Sequence, residues 1–358
     1  MATKFDNIHY SFREVDGYNK PINMILSPRE LGKTSTFWFQ KAYTGWKKDQ
    51  KPWLYLVRQA NEINEDLLDG ILTPINKFSD DNVQFEYQRG NLESGVLDVK
   101  IKGKLFFRVL ALSTKLRRIK LSLIKDIKGV CMDEYVIDPR NQEKYLPNEA
   151  GKIKEIYTTY IRESEGQLKF YILGNLYSLF NPIILWLGID TNEIRKAITD
   201  GVDNIQTSKS WLFQFKMLTP ELRAYILEKN PLYEFDEEYK KYALNGVPVN
   251  DEHIRLGALP PSYHLKFVFR MQSRYIAIYQ NNYFEDREDR YFCDFIDEVG
   301  AKRVIYCFEF EELINRCQIM SMDDRNKLNH FKIAMRKRQV VFSNVSVYYL
   351  IEEIYKNL

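Results

Sequence analysis

One stretch constrains this chain more than any other: Ser27-Pro28-Arg29-Glu30-Leu31-Gly32-Lys33-Thr34. An apolar run, Ile22 to Leu26, precedes it, and Thr34 to Tyr43 reads as helix. A buried strand, a tight loop ending in Gly-Lys-Thr and a helix together form a phosphate cradle. Backbone amides at the helix N-terminus hold the phosphates, Lys33 reaches the terminal ones and the Thr34 hydroxyl meets a metal. The spacing fits GxxxxGK[ST] except that Ser27 stands where the first glycine belongs. Serine is small and only some positions of such a loop need a positive φ, so Ser27 is compatible with the turn. A strand-turn-helix that holds no nucleotide fits the same stretch, and the choice falls to the residues downstream.

A chain of 358 residues is long enough for two domains, or for one large domain with a satellite. With 45% hydrophobic and 28% charged residues it reads as an ordinary globular protein. No apolar run approaches the roughly 20 residues that span a bilayer. The longest, Leu176 to Ile189, is broken by Asn181-Pro182. The first residues, punctuated by Lys4, Asp6 and Arg13, carry no secretory pattern. Cys131, Cys293, Cys307 and Cys317 follow no metal-ligand spacing, so reduced thiols in a cytosolic protein are expected, with no membrane partner. Four scattered histidines argue against a zinc site.

The net charge of +3 is small, but its distribution is uneven. From Lys100 to Lys128 the chain is dense in lysine and arginine, against the single acid Asp126. Such a stripe suits a phosphate backbone, or is simply a solvated basic surface.

Apolar stretches without alternation predict buried strands at Trp53 to Val57, Gly129 to Met132 and Leu168 to Leu173. Between them, helical spacing appears over residues 61–78, 148–162 and 191–200. Alternating segments at Phe85 to Gln88, Val96 to Ile101 and Leu105 to Leu112 add strands, with turns at Arg89-Gly90 and Lys102-Gly103. Strands alternating with helices predict an α/β domain with a mainly parallel sheet over residues 1–205. Residues 206–255 read as a linker or small helical subdomain, with helices at 219–229 and 236–244. From His264 the period changes to two, giving strands at Leu265 to Met271, Tyr275 to Gln280 and Arg290 to Asp294. Helices at 309–315 and 322–336, a strand at Val340 to Phe342 and a helix at 346–356 complete an α+β domain over 256–358.

A nucleotide hydrolase needs a carboxylate for its metal and a base for water, both from the end of a neighbouring buried strand. Val130-Cys131-Met132-Asp133-Glu134 supplies adjacent acids in that position. In this Walker B reading Asp133 serves Mg2+ and Glu134 polarises the attacking water. Solvated acids at a strand end are the alternative. A cation that offsets charge on the γ-phosphate would assist hydrolysis, and Arg162, Arg29 and Arg58 are the candidates. Asn175, after Leu173-Gly174, places a polar side chain at the next strand tip, where it can sense that phosphate.

The ordered set SPRELGKT, YLVR (55–58), ALS (111–113), GVCMDEYV (129–136), YLPNEAGKI (145–153), YIRE (160–163) and YILGNLYSLFNP (171–182) resembles the DNA-packaging ATPases of small podophages, whose motors use a packaging RNA. The likeness covers most of the first 190 residues. It implies a P-loop NTPase domain of the ASCE, additional-strand type that uses ATP and Mg2+. Ser27, Arg29, Gly32, Lys33, Thr34 and Arg58 would lie at the nucleotide, Thr34 and Asp133 at the metal, and Glu134 and Asn175 at the catalytic and coupling positions. Arg162 matches the family's trans-acting arginine, which requires a head-to-tail ring, a pentamer by resemblance. The basic loop matches the family's DNA-gripping loop, making Lys115, Arg117, Arg118 and Lys120 phosphate contacts. Ser164-Glu165 depart from the pattern, since a second basic residue is expected after Arg162.

Related large terminases carry an RNase H-like nuclease after the ATPase. Two-metal cleavage needs convergent acids, yet Lys266 to Met271 has none, and Glu285, Asp286, Glu288 and Asp289 read as a solvated turn. The expectation is a vestigial, inactive nuclease fold that binds packaging RNA or procapsid, with Lys332, Arg336, Lys337 and Arg338 on one helix face as RNA contacts. The whole then reads as a motor in the host cytoplasm, transiently on the procapsid, that moves double-stranded DNA through the portal. A cutting terminase, or a non-catalytic capsid or nucleic-acid-binding protein with a decayed P-loop, are the alternatives.

Overall fold

Strands buried on both faces need no polar side, and here they pack side by side as a parallel sheet. The computed structural model describes residues 9–358 apart from 89–90, 93, 116–123, 139–143, 164–167, 231, 237–239, 241–242, 245, 247, 249–250, 252, 273, 282–288, 309–312 and 314–315. Two units divide the chain: Met1–Ser178 with Trp186–Val249, and Leu179–Leu185 with Asn250–Leu358.

In the first unit, among the described residues, a sheet of eight strands contains β1 (Ile22–Ser27), β2 (Trp53–Val57), β3 (Val96–Ile101), β4 (Lys104–Ala111), β5 (Gly129–Met132), β6 (Lys169–Asn175), β7 (Asn204–Thr207) and β8 (Trp211–Phe215). Their order is β3-β4-β2-β5-β6-β1-β8-β7. From β4 to β8 every neighbour is parallel, and the two edge strands, β3 and β7, are antiparallel. All six residues of β1, all five of β2 and all four of β5 are buried. The strand β6 lies between the strand that feeds the Gly-Lys-Thr loop and the strand that Asp133 follows.

The helix after the loop runs through Lys33–Thr36, Phe37–Tyr43 and Thr44–Asp49, with a π-helical middle segment. Phe37, Trp38 and Phe39 are buried there. The Phe37 ring meets Trp53 at 5.0 Å, and Trp38 meets Tyr55 at 5.0 Å and Phe107 at 5.1 Å. Such aromatic pairs add about 0.5–1.5 kcal/mol each beyond the area they bury. They fix the loop's helix against β2 and β4. Trp53 also explains Gly129, because a Cβ there would stand 2.5 Å from the indole. Lys102 and Gly103 have φ of 51° and 75°, the left-handed pair that a tight hairpin turn requires.

Two expectations are corrected. Residues 206–255 are not a linker, because Trp211–Phe215 pairs with the loop strand β1 and residues up to Val249 belong to the first unit. This strand is only five residues long, too short for its spacing to announce its partner. Phe85 to Gln88 forms no strand, only an isolated bridge from Glu86 to Lys100. The turn at Arg89-Gly90 lies outside the described residues, as do most of the helices expected at 236–244 and 309–315.

The second unit has a six-stranded sheet among the described residues. Its strands are β9 (Tyr263–Met271), β10 (Arg274–Asn281), β11 (Tyr291–Ile296), β12 (Ile305–Cys307), β13 (Cys317–Ile319) and β14 (Val340–Phe342), in the order β13-β12-β9-β10-β11-β14. The central β9-β10-β11 meander is antiparallel, while β12, β13 and β14 join in parallel. The helix expected over 322–336 divides at Leu328 into Met322–Lys327 and Asn329–Arg336, and Val345–Asn357 closes the chain.

Candidate functional site

Parallel strands deliver their C-terminal ends to one edge of a sheet, and here the polar candidates gather at that edge. Ser27 and Asn175 are register partners at the ends of β1 and β6. Asp133 and Glu134 follow β5, and Arg58 follows β2.

Ser27 is fully buried, and its hydroxyl donates to the Pro28 carbonyl at 2.7 Å. The left-handed residues of the loop are instead Glu30, with φ of 62°, and Gly32, with φ of 84°. A Cβ on Gly32 would also lie 2.9 Å from the His9 ring. The missing first glycine is therefore at a position whose backbone does not require one.

Lys33 is buried, and its ammonium donates to Ser27 Oγ at 2.5 Å and Asn175 Oδ1 at 3.2 Å. Both partners are neutral. Burial pushes its pKa down to about 8, against the opposing pull of Asp133 and Glu134. A desolvated cation held by neutral oxygens is a site prepared for an anion. Beside it a cavity of about 250 Å³ is lined by the loop from Arg29 to Ser35 and by Asn175. The Arg29 guanidinium also lies 5.8 Å from the centre of the Tyr177 ring.

Thr34 Oγ1 donates to Asp133 Oδ2 at 2.6 Å, so the two residues expected at a metal are in contact. Burial raises the Asp133 pKa, while the Thr34 hydroxyl, the Glu134 amide and Lys33 pull it back. The Glu134 amide donates to Asp133 Oδ1 at 2.8 Å. Glu134 itself is exposed and has φ of 53°, a left-handed conformation that costs a non-glycine residue about 1–3 kcal/mol. Residues in this state are held by their neighbours.

Arg58 is the main correction among the candidates. It does not line the Lys33 cavity and is only 6% exposed. Its Nε donates to Glu149 Oε2 at 2.9 Å and its Nη2 to Glu149 Oε1 at 3.1 Å. The same Nη2 donates to the Tyr135 carbonyl at 2.9 Å. Burial alone would lower the arginine's pKa, but Glu149 outweighs it and the guanidinium stays charged. Glu149 opens the helix Glu149–Glu163, whose last turn carries Arg162. Arg162 is exposed and lies outside the cavity lining. Ser164-Glu165 lie outside the described residues.

A loop, a buried lysine, a Thr-Asp contact and an inserted strand define the fold of this edge closely enough for comparison with known proteins. The bacteriophage Phi-29 viral genome packaging motor assembly superposes with a TM-score of 0.68 at 14% identity, covering 98% of this chain and 99% of that one. This chain has the packaging-motor fold. The Phi-28 gp11 DNA packaging motor gives a TM-score of 0.57 at 15% identity, with 96% of each chain covered. No family model matches the sequence, and no curated protein does.

Within the packaging-motor fold the nucleic-acid candidates fare differently. Lys115 is exposed, whereas Arg117, Arg118 and Lys120 lie outside the described residues. Elsewhere in the basic stretch, Arg108 pairs with Asp98 and Lys128 with Asp49. In the second unit the four basic residues do not share one helix face. The helix ends at Arg336, and Lys337 and Arg338 lie beyond it, Arg338 with φ of 55°. Lys332 donates to the Leu358 carbonyl at 2.5 Å and Arg336 to the Tyr355 hydroxyl at 3.0 Å. A cleft of about 290 Å³ brings Arg336 and Arg338 together with Arg255, His253, Tyr348 and Tyr355. Asp289, expected as solvated charge, pairs with Arg255, while Glu285, Asp286 and Glu288 lie outside the described residues.

Three residues at the first site were not anticipated. Glu149 and Tyr135 hold Arg58, and Tyr233 donates its hydroxyl to Glu30 Oε1 at 2.5 Å. Glu149 reads as an ordinary acid at a helix start, and only its burial distinguishes it.

Proposed function

We propose that this chain is the ATP-hydrolysing subunit of a phage DNA-packaging motor, which moves double-stranded DNA through a portal into a procapsid. The observation that carries this reading is the buried Lys33 ammonium, held by neutral partners beside the Thr34–Asp133 contact, in a chain with the packaging-motor fold. The strand between β1 and β5 supports an ASCE-type P-loop domain.

Lys33 and the amides at the start of its helix bind the β- and γ-phosphates. Thr34 and Asp133 suit Mg2+, as a hydroxyl and a carboxylate are hard oxygen donors already in contact; when bound, it neutralises charge on the phosphate oxygens. Glu134 orients the attacking water and accepts its proton. Asn175, bonded to Lys33, reports on the γ-phosphate from the tip of β6. Arg29 lines the same cavity and steadies the phosphates in cis. Arg162, exposed at a helix end, serves the nucleotide of the next subunit in a ring, which by resemblance is a pentamer. Lys115 and the basic residues after it grip the DNA backbone. The second unit, an RNase H-like fold without nuclease activity, presents its arginine-lined cleft to packaging RNA at the procapsid. The motor works in the host cytoplasm.

Mixing purified protein, cognate procapsids, double-stranded DNA and ATP tests this reading. The expected result is DNA that becomes protected from nuclease with ATP but not with a non-hydrolysable analogue, and not with Lys33→Ala. Protection that is independent of ATP hydrolysis would overturn it.

A further inference from the structure

Glu134 is the exposed member of the acid pair, and its strained backbone needs an anchor on each side. On one side its amide is tied to the Asp133 carboxylate. On the other, Tyr135 is fixed at three points. Its amide donates to the Leu173 carbonyl at 3.2 Å. Its ring lies on Gly174, where a Cβ would come within 2.4 Å of Cε1. Its carbonyl accepts from Arg58 Nη2 at 2.9 Å.

The arginine that holds this carbonyl is itself over-determined. Glu149, 1% exposed, takes its guanidinium with both oxygens, and one of these also accepts the Leu146 amide at 3.0 Å. The Tyr145 ring lies 5.4 Å from the guanidinium carbon. The Arg58 backbone is held as well, its amide by Glu62 and its carbonyl by the Ser113 amide. A lysine cannot reproduce this arrangement, since only the planar fork serves a carboxylate and a carbonyl at once.

We propose that Arg58, anchored by Glu149, is a positioning residue: it clamps the Tyr135 carbonyl and so holds Glu134 in its left-handed conformation. Neither residue lines the Lys33 cavity, and the pair acts through the backbone of the catalytic loop. The inference rests on the reading of Glu134 as the base, and its test separates the two.

Breaking one partner leaves a lone buried charge, so the decisive variant replaces both: Arg58→Met with Glu149→Met, an apolar pair of similar volume that buried ion pairs often tolerate. Arg58→Lys, which keeps the charge and loses the fork, is the second variant. Four quantities are measured on the full-length protein: melting temperature, hydrogen exchange across residues 133–136, steady-state ATP turnover and the Kd for ATP. The expected double variant melts like wild type, exchanges at least about tenfold faster at 133–136, and loses about 10- to 100-fold in kcat with an unchanged Kd, as small misplacements of catalytic groups do. Arg58→Lys shows the same split. Wild-type exchange in both variants, or faster exchange with unaltered kcat, overturns the clamp. If the wild-type protein turns over no ATP at all, the motor reading fails, and the exchange measurement alone decides whether the clamp exists.

Discussion

Two arginine–carboxylate pairs, Arg58–Glu149 in the first unit and Arg255–Asp289 in the second, share their chemistry and differ in their surroundings. Arg58–Glu149 has side-chain exposures of 7% and 0%, whereas Arg255–Asp289 has 48% and 32%. The first is enclosed at the carboxyl edge of a parallel sheet, where Nη2 also donates to a backbone carbonyl. In the second, Arg255 likewise donates to a backbone carbonyl, that of Arg338 at 2.6 Å, and lines a cleft with Arg336 and Arg338. Both arginines grip a carboxylate with two nitrogens and a backbone carbonyl besides, so what separates the two pairs is enclosure against exposure to solvent. In the proposed function the same contrast separates chemistry that needs fixed geometry from phosphate contact that needs accessible charge.

The contrast breaks most visibly in stability. Arg58→Met alone should cost about 3–5 kcal/mol, because Glu149 is left buried and unpaired. Arg255→Met should cost about 0–1 kcal/mol, as exposed pairs do. Denaturant unfolding of the two variants side by side measures the difference, and equal losses would refute it.

Next in size are the catalytic substitutions. Lys33→Ala and Glu134→Gln should each lower ATP turnover by about 10²–10³-fold. Only Lys33→Ala should also weaken nucleotide binding, which fluorescent-nucleotide titration can separate. Gly174→Ala should cost about 1–3 kcal/mol by displacing the Tyr135 ring, and should lower kcat more than it raises KM. A variant that loses stability with kcat intact would show that the ring does not support the catalytic loop.

The smallest effects belong to the cleft. If Arg336 or Arg338 contacts a nucleic-acid backbone, either Arg→Ala change should flatten the dependence of log affinity on log salt by about 0.7–0.9 per lost contact. ATP turnover of the isolated protein should stay the same. An unchanged salt slope would remove that arginine from the nucleic-acid surface.

Much of the first site is legible in the sequence because its parts are local. Gly32-Lys33-Thr34 follows a largely apolar strand and Asp133-Glu134 follows another, so local pattern marks both as strand-end groups. What escapes is long-range. Arg58 reads as one more cation near phosphate, and its partner lies 91 positions away, so only the folded chain shows the carboxylate that claims it. The strand Trp211–Phe215 is equally hidden, because its place beside β1 is set by the sheet and not by its own short spacing. In the second unit, four clustered basic residues suggest one helix face, but the helix ends at Arg336 and turns the later two elsewhere. Arg255 belongs with them only through the fold.

The central claim is that the edge formed by Lys33, Thr34, Asp133 and Glu134 hydrolyses ATP in the service of DNA movement. Steady-state phosphate release by the purified protein, with and without double-stranded DNA, tests it most directly. The account predicts turnover that rises with DNA and falls to background in Glu134→Gln, which still binds ATP. Turnover that ignores DNA and survives Glu134→Gln, or no turnover under any of these conditions, would contradict it.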